Sequence, residues 1–331
     1  MKKKILLVSA LGLLVALSAI IPLSCGGNGD DSETTPTPLA EPATLNQKNV
    51  DDVLEFIAEN VSGCSLGATS TKTQYTFEPF VDLTLHMGNQ LKSVSRQVYA
   101  NATQTTMEFE GACGGTATVS LTSDEETGSV SGSLSFDNFC QDVDESEFLI
   151  SGDLTFSGLI DTSTGDITQL SGSTGPEGIT LQLDENSYTI GIENASINFG
   201  EDNITATVGS FYIKTASDGE VKEYRVDNLS FQATEVDNTT EITASGQFTH
   251  PDEGMVSFST PQPITISDDD KIVTGQLEVT GANNTKALLT VIDSNIFEVQ
   301  VDTDGDGVYD YFPDNLDCSE FDLNLDLDLE L

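Results

Sequence analysis

The 331-residue sequence contains no tryptophan and only two histidines, His86 and His250. Carbohydrate sites usually hold sugar rings on aromatic side chains, so the absence of tryptophan argues against a sugar-processing enzyme. Neither histidine has a serine, a cysteine or a second metal ligand at motif spacing, and the HExxH and GxSxG motifs are absent. The sequence therefore predicts a non-catalytic protein. Its many pairs of acids leave a carboxylate-based hydrolase as an alternative.

Basic residues are also scarce, with 12 lysines and arginines against 55 aspartates and glutamates and a formal net charge of −43. Such a charge repels polyanions, so we do not expect nucleic acid or anionic lipid as a partner. The charge favours solubility and the binding of divalent cations or cationic ligands. The simplest interpretation of most of these acids is a solvated surface.

The first 25 residues carry the clearest pattern in the chain. Lys2–Lys4 precede an apolar run, Ile5–Leu23, which is followed by Ser24 and Cys25. A basic start, an apolar segment and a small residue before the cut are the parts of a secretory signal. About 20 apolar residues can also span a bilayer. Pro22 and the polar residues directly after Cys25 argue against such an uncleaved anchor.

This arrangement resembles a bacterial lipoprotein signal, in which the cysteine thiol is acylated and becomes the new N-terminus. The resemblance implies a signal peptide at 1–24 and a cell-envelope protein attached to the lipid bilayer through acylated Cys25. Gly26 stands where a signal for inner-membrane retention would carry Asp, which implies the outer membrane. Several acyl chains make such anchoring durable, whereas one chain binds only marginally. A cleaved signal without lipid and an uncleaved anchor are the alternatives.

Residues 25–44 are predicted to comprise the acylated cysteine and a disordered tether. Gly, Asn, Asp, Ser, Thr and Pro dominate this stretch, and Pro36, Pro38 and Pro42 follow at short intervals. A segment of that composition cannot bury a core and stays extended or disordered. The tether would hold a folded body away from the lipid surface.

Residues 45–104 are predicted to form a helical cap. Apolar residues recur every three or four positions at 47–61 and again at 81–99, which predicts two helices. Asn49 is the expected N-cap of the first helix. Most of the second helix lies in a stretch without acids, from Leu83 to Met107. We expect it to pack on a sheet, and the alternative is a contact with the acidic body or with a membrane.

Residues 105–331 are predicted to form a large antiparallel β meander, so that the fold class is mainly β with two short N-terminal helices. Short segments alternate apolar residues with Thr or Ser, and turns containing Gly or Asn separate them. Many such strands imply a sandwich or a barrel-like closure. Glycines in a recurring small-Gly-polar-apolar phrase, such as Gly152 and Gly275, suit bulges or bent strands. The strict alternation of residues 321–331 predicts one more half-buried strand.

Four cysteines remain besides the one predicted to carry lipid, and an even number in an exported chain predicts two disulfides. Three pairings of Cys64, Cys113, Cys140 and Cys318 are possible. Cys113 and Cys140 flank a predicted strand pair and could close it, which would leave Cys64 and Cys318 to tie the helical cap to the C-terminus. The absence of a CxxC motif and of a Cys/His cluster argues against structural zinc.

The strongest local motif is the run from Asp302 to Asp310. Acids at its first, third, fifth and ninth positions are Asp302, Asp304, Asp306 and Asp310, and a glycine stands at the sixth. Carboxylates at this spacing can wrap oxygen ligands around Ca²⁺. The run resembles the calcium loops of thrombospondin type 3 repeats and dockerins, which implies a weak Ca²⁺ site because Pro313 stands where a twelfth-position acid is expected. The alternative is a β-hairpin turn, and both can hold together.

A broader pattern resembles uncharacterised bacterial lipoproteins. It comprises a Cys113-Gly114-Gly115 opening and a short Asn-led helix from Asn49, together with the segments His250–Pro261, Val279–Asn283 and Asp302–Tyr311. The resemblance implies no activity. We expect an envelope protein with a structural or ligand-binding role. A carrier of lipid or another apolar ligand in a β-barrel cavity and a carboxylate hydrolase are the alternatives. An envelope protein or an apolar ligand is the expected partner besides the bilayer.

Overall fold

The computed structural model confirms a mainly β fold built on one antiparallel sheet. The described residues are 41–50, 53, 65–66, 105–124, 126–143, 146–164, 166–183, 186–217, 220–268 and 271–317. Among them, no helix is long and apolar enough to cross a bilayer. The predicted helix at 81–99 and the predicted strand at 321–331 lie outside the described residues.

Sixteen strands and one short 3₁₀ turn at Ala282–Asn284 make up the described fold. The first eight strands are β1 (Ser65–Leu66), β2 (Thr105–Glu110), β3 (Gly114–Asp124), β4 (Ser129–Val143), β5 (Ser146–Ile160), β6 (Ile167–Leu183), β7 (Asn186–Glu193) and β8 (Ala195–Phe199). The others are β9 (Asn203–Ser217), β10 (Glu220–Val236), β11 (Thr239–His250), β12 (Gly254–Ser267), β13 (Ile272–Thr280), β14 (Lys286–Asp293), β15 (Ile296–Asp302) and β16 (Leu316–Asp317).

The sheet is a meander in which most strands pair with their neighbours in the chain. The pairing path runs from β2 through β15 in chain order and ends with β16 and β1, while β7 and β8 share one position between β6 and β9. Successive turns therefore alternate between two ends of the sheet. We call the end with turns 251–254 and 281–285 and the loop 302–310 the strap end. The other, with turns 237–238 and 293–295, is the far end.

Extra residues at mid-strand positions keep one face of the sheet apolar along its whole length. Asn138, Asn194 and Asn228 adopt left-handed backbone angles, with φ of 48°, 55° and 53°. One extra residue reverses the alternation of side chains between the two faces. Tyr224 thus faces the core before Asn228 in β10, and Leu229 faces it afterwards. The glycine predictions are confirmed at Gly152 and Gly275, where the strand register shifts, although both lie within strands rather than at strand starts.

Most of the inward face packs as one buried cluster that extends from β3 to β15, and Ile197, Ile204 and Ala206 form a second, smaller cluster. Fully buried side chains such as Phe248, Ile213 and Leu289 lie within the larger cluster. Burying a side chain of this size contributes roughly 1.5 to 3 kcal/mol to folding. The cluster therefore supplies the main stabilisation of the sheet.

The outward face carries an in-register row of hydroxyl groups across nine strands. Its members are Thr122, Ser131, Ser157, Ser171, Ser196, Thr207, Ser230, Ser245 and Ser259. Neighbouring hydroxyls can hydrogen-bond across strands, as Ser157 and Ser171 do at 2.8 Å. No member of this row carries a charge.

Residues 41–50, which we call the strap, lie across the strap end of the sheet. Ala43, Leu45 and Val50 belong to the same buried cluster as the strands. Leu45 N–H donates to the Thr285 hydroxyl at 3.0 Å, and Ala282 N–H donates to the Ala43 carbonyl at 2.5 Å. The predicted tether extends to residue 44, but the contacts of the body already begin within the strap.

A hydrogen-bonded turn precedes the helical residues at the end of the strap. Asn46 Oδ1 accepts from Lys48 N–H at 2.9 Å, and Asn49 Oδ1 accepts from Asn46 N–H at 2.9 Å. These bonds close the turn 46–49, and the first described helical residue, Val50, follows directly after Asn49. Val53 N–H donates to the Asn49 carbonyl at 3.1 Å, which continues the helical pattern. The rest of the predicted helix at 47–61 lies outside the described residues.

One of the two expected disulfides lies within the described residues. Cys113 and Cys140 are joined, with their Cα atoms 5.1 Å apart. Cys64 and Cys318 lie outside the described residues, so their pairing stays a prediction. Their neighbours do pair, since Ser65 and Leu66 of β1 lie opposite Asp317 and Leu316 of β16.

Candidate functional site

The acidic loop begins where β15 ends, at the strap end of the sheet. Asp302 is the last residue of β15 and is only 2% exposed. The chain then turns outward and returns at Tyr311, whose backbone pairs with Val301 in an antiparallel bridge. The hairpin interpretation of this segment is therefore confirmed at that bridge. Both ends of the loop are held by the sheet.

Two backbone amides fix the buried carboxylate of Asp302. Gly305 N–H donates to one of its oxygens at 2.7 Å and Gly307 N–H to the other at 2.8 Å. Both glycines have positive φ, 75° and 88°, which other residues rarely adopt. The glycines at the fourth and sixth positions of the run therefore allow the loop to wrap around this carboxylate.

Two more carboxylates converge on Asp302. Ligand oxygens of Asp302, Asp304 and Asp306 all lie within 4.8 Å of one another. Asp304 and Asp306 are exposed, and each also accepts a backbone N–H two residues later, at 3.1 Å and 2.7 Å. Like charges at this distance repel by about 1 kcal/mol per pair even in water. A cation placed among them would remove that repulsion.

The fourth predicted ligand, Asp310, is not part of this group. Its carboxylate accepts hydrogen bonds from the backbone N–H of Thr303 at 3.0 Å and from the Thr303 hydroxyl at 2.8 Å. These bonds hold the pKa of Asp310 below its usual value. Asp310 thus closes the base of the loop.

The loop packs against the neighbouring turn 281–285. A Cβ added at Gly305 would collide with the carbonyl oxygen of Asn283, so only glycine allows this approach. Asn283 in turn donates to the Thr44 hydroxyl at 3.4 Å. Strap, turn and acidic loop therefore form one contiguous group of contacts.

The loop also covers an ion pair on the outward face. Lys286 Nζ lies 3.1 Å from a Glu278 oxygen. Partial burial, followed by the charge of Glu278, raises the pKa of the Tyr309 phenol above its ordinary value. Lys286 is directly opposite Asp302 in the β14–β15 register but bonds Glu278. The three converging carboxylates therefore face no lysine partner among the described contacts.

Oxygen ligands at this spacing fit a hard divalent cation. Ca²⁺ takes six to eight oxygens at 2.3–2.6 Å from carboxylates, carbonyls and water. Asp302, Asp304 and Asp306 offer three carboxylates, and Asp302 is pre-positioned by its two amide bonds. The residue at the twelfth position is Pro313, which cannot supply the bidentate acid of a strong site. The residues present fit a weak Ca²⁺ site open to solvent.

A second charged group on the outward face was not anticipated from the sequence. Tyr212 lies over Gly191, and Lys214 lies 4.9 Å from the centre of its ring. Arg225 Nε bonds both oxygens of Asp227, at 2.9 and 3.0 Å. These charged and aromatic groups pair with one another across β7, β9 and β10. We therefore interpret them as contacts that stabilise the sheet. Predicting that this tyrosine packs over a glycine on the neighbouring strand requires the strand register, which the sequence alone does not supply.

The remaining predicted positions fall into two groups. His250 Nδ1 accepts backbone N–H groups of Asp252 and Glu253, each at 3.2 Å, and its ring meets Tyr224 edge-on at 5.4 Å. This histidine thus shapes the turn 251–254. Cys25 and His86 lie outside the described residues.

Comparison with known proteins finds no matching family model, no similar curated protein and no similar solved structure. The functional argument therefore rests on the residues of this chain alone.

Proposed function

We propose that this protein is an outer-membrane lipoprotein, attached through acylated Cys25, with a non-catalytic β body that binds Ca²⁺ at the loop after β15. The observation that carries the proposal for the body is the convergence of three carboxylates, one of them buried, within 4.8 Å. The anchor rests on the signal pattern that ends at Cys25. The role of the whole protein is structural or ligand-binding within the cell envelope.

The packing of the inward face supports this role over that of a carrier for an apolar ligand. Phe248, Val279 and Leu289 are at most 2% exposed and lie in one cluster with the inward residues of the other strands. Side chains packed at interior density fill the space that a carried ligand would need.

The setting of the acids supports the same role over that of a hydrolase. Asp304 and Asp306 lie on an exposed turn, where each accepts a backbone amide. A general acid needs a pKa raised by a buried, apolar setting. A cation site needs converging carboxylate oxygens, which this loop provides.

The anchor is tested by fractionating bacteria that express the full chain or its Cys25→Ser variant. We expect the parent chain in the outer membrane and the variant in the soluble envelope fraction. The same distribution for both chains would contradict acylation at this residue.

Calcium binding is tested by calorimetric titration of the detergent-solubilised full chain. We expect a weak Ca²⁺ site, with a Kd in the range of about 10⁻⁴ to 10⁻³ M that is typical of extracellular modules. Mg²⁺ is the control, because it demands a smaller and stricter octahedral geometry. The absence of Ca²⁺ heat at millimolar concentration would contradict the site.

A further inference from the structure

We infer that the body hangs from the membrane by its strap end, so that the loop 302–310 and the turns 251–254 and 281–285 face the lipid surface. This inference rests on the proposed acylation of Cys25 and deepens it by fixing an orientation. It does not depend on a bound cation.

The strap sets the direction in which the chain leaves the body. Pro42 pairs in parallel with Met255 at the start of β12, and β12 runs from the strap end towards the far end. The strap runs in the same direction, so the point at which the chain enters the body, Glu41, lies at the strap end. Met255 N–H donates to the Glu41 carbonyl at 3.1 Å, and Ala43 N–H donates to the Met255 carbonyl at 2.8 Å. Both bonds hold that exit in place.

Burial makes the exit a fixed part of the body. Ala43 is 4% exposed and Leu45 is fully buried. Gly254, with φ of 96°, approaches the Glu41 carbonyl so closely that an added Cβ would collide with it. A pull on the chain before Glu41 is therefore transmitted directly to the turn 251–254.

The length of the intervening chain limits how far the strap end can lie from the lipid. Fifteen residues, 26–40, separate Cys25 from Glu41. A flexible linker of this length has a root-mean-square span of about 20 Å. The 17 residues of β10 extend the sheet by about 50 Å at the usual rise of a strand. The far end therefore lies well beyond the strap end as seen from the anchor.

Exposed large apolar side chains occur at both ends of the sheet, and the three most exposed lie at the strap end. Among the described residues, the large apolar side chains with the highest exposure are Val221 at 67%, Val308 at 62% and Phe312 at 61%. Val221 opens β10 at the strap end, and the other two belong to the acidic loop and its return. The acids of the loop make a lipid surface without net charge the fitting partner, because anionic headgroups would repel them.

The absence of tryptophan from the chain gives the orientation a clean test. Val308→Trp places a single indole at the strap end, and Ile292→Trp, at a position 52% exposed, places one at the far end. Each full-length acylated chain is reconstituted into phosphatidylcholine vesicles that contain a lipid with a dansyl headgroup. We expect energy transfer from indole to dansyl to be several-fold higher for Val308→Trp than for Ile292→Trp.

The outcomes separate the orientation from the anchor. Equal transfer from the two positions, or higher transfer from Ile292→Trp, would overturn the orientation while the chain still floats with the vesicles. A parent chain that does not float would overturn the anchor, and the orientation with it. If either variant fails to fold, Val221→Trp and Val236→Trp form a second pair at the same two ends, with the same expected order.

Discussion

The carboxylate group at Asp302 predicts a change of sign in the effect of one substitution. Asp306→Asn removes one of the three converging charges. The substituted side chain keeps an oxygen that can accept the Val308 N–H, which in the parent lies 2.7 Å from the Asp306 carboxylate. Without Ca²⁺, the variant loses two repulsions of about 1 kcal/mol each before screening by salt. We therefore expect the variant to be slightly more stable than the parent in EGTA, by up to about 1 kcal/mol.

Calcium should reverse this order. A site with a Kd of about 0.1 mM gains roughly 2.7 kcal/mol at 10 mM free Ca²⁺, which is RT ln(1 + [Ca²⁺]/Kd). For a body of this size that gain raises the melting temperature by about 5 to 10 °C. With one carboxylate fewer and a Kd near 1 mM, the variant gains only about 1.4 kcal/mol. The parent should then melt at the higher temperature.

Thermal unfolding in EGTA and in 10 mM CaCl₂, at matched ionic strength, is the assay. Asp124→Asn is the control variant, because Asp124 also accepts backbone amides, from Glu126 and Thr127, in an exposed turn outside the carboxylate group. It changes the net charge equally and should leave the calcium shift intact. Equal calcium shifts in the parent and in Asp306→Asn would refute the reasoning.

Three further predictions follow from described contacts. Gly191→Val would drive a side chain into the Tyr212 ring, so urea unfolding should show a loss of about 1 to 3 kcal/mol; no loss would contradict that packing. The pKa of Asp310 is lowered by Thr303. The stabilisation of the folded state by the Asp310 carboxylate is therefore present above the unfolded pKa of about 3.9 and is lost as the pH falls. In Thr303→Val, NMR titration should show this pKa nearer its ordinary value, and an unchanged pKa would contradict the assignment. Reduction of the disulfide at Cys113, which spans 27 residues, should cost roughly 2 to 4 kcal/mol, and an unchanged urea midpoint would contradict its contribution.

The strands were predictable because the alternation of apolar and hydroxyl side chains is strong over most of the chain. The segment 167–178 of β6 is hard to recognise in the sequence, since Gly175 and Pro176 interrupt its pattern where the strand bulges. The full length of β12 is equally hard to recognise, because Pro261 and Pro263 would ordinarily indicate the end of a strand, yet both lie at register shifts that tolerate proline.

The three mid-strand asparagines with left-handed backbone angles share a short pattern in the sequence. Phe136-Asp137-Asn138-Phe139, Ile192-Glu193-Asn194-Ala195 and Val226-Asp227-Asn228-Leu229 share an order of apolar, acidic, Asn and apolar residues. In each, Asn takes the left-handed conformation that it tolerates better than other residues with a side chain. This four-residue pattern marks the point where the apolar side chains change from odd to even positions, or the reverse, along the strand.

The acidic loop was predictable in part. The spacing of Asp302, Asp304 and Asp306 indicated a shared centre, because alternate residues of a tight turn can point to one side. The role of Asp310 was not predictable, since it depends on the return of the chain to Thr303. The contact of Gly305 with Asn283 also depends on which turns meet at one end of the sheet. Pairing register, rather than local pattern, decides both.

The most direct test of the central claim is the mass of the mature N-terminal peptide from membrane-bound protein. The lipoprotein account predicts a chain that begins at Cys25 and carries acyl groups on its sulfur and its new α-amino group. A peptide that begins at Met1, or a mature Cys25 with a free thiol, would contradict it.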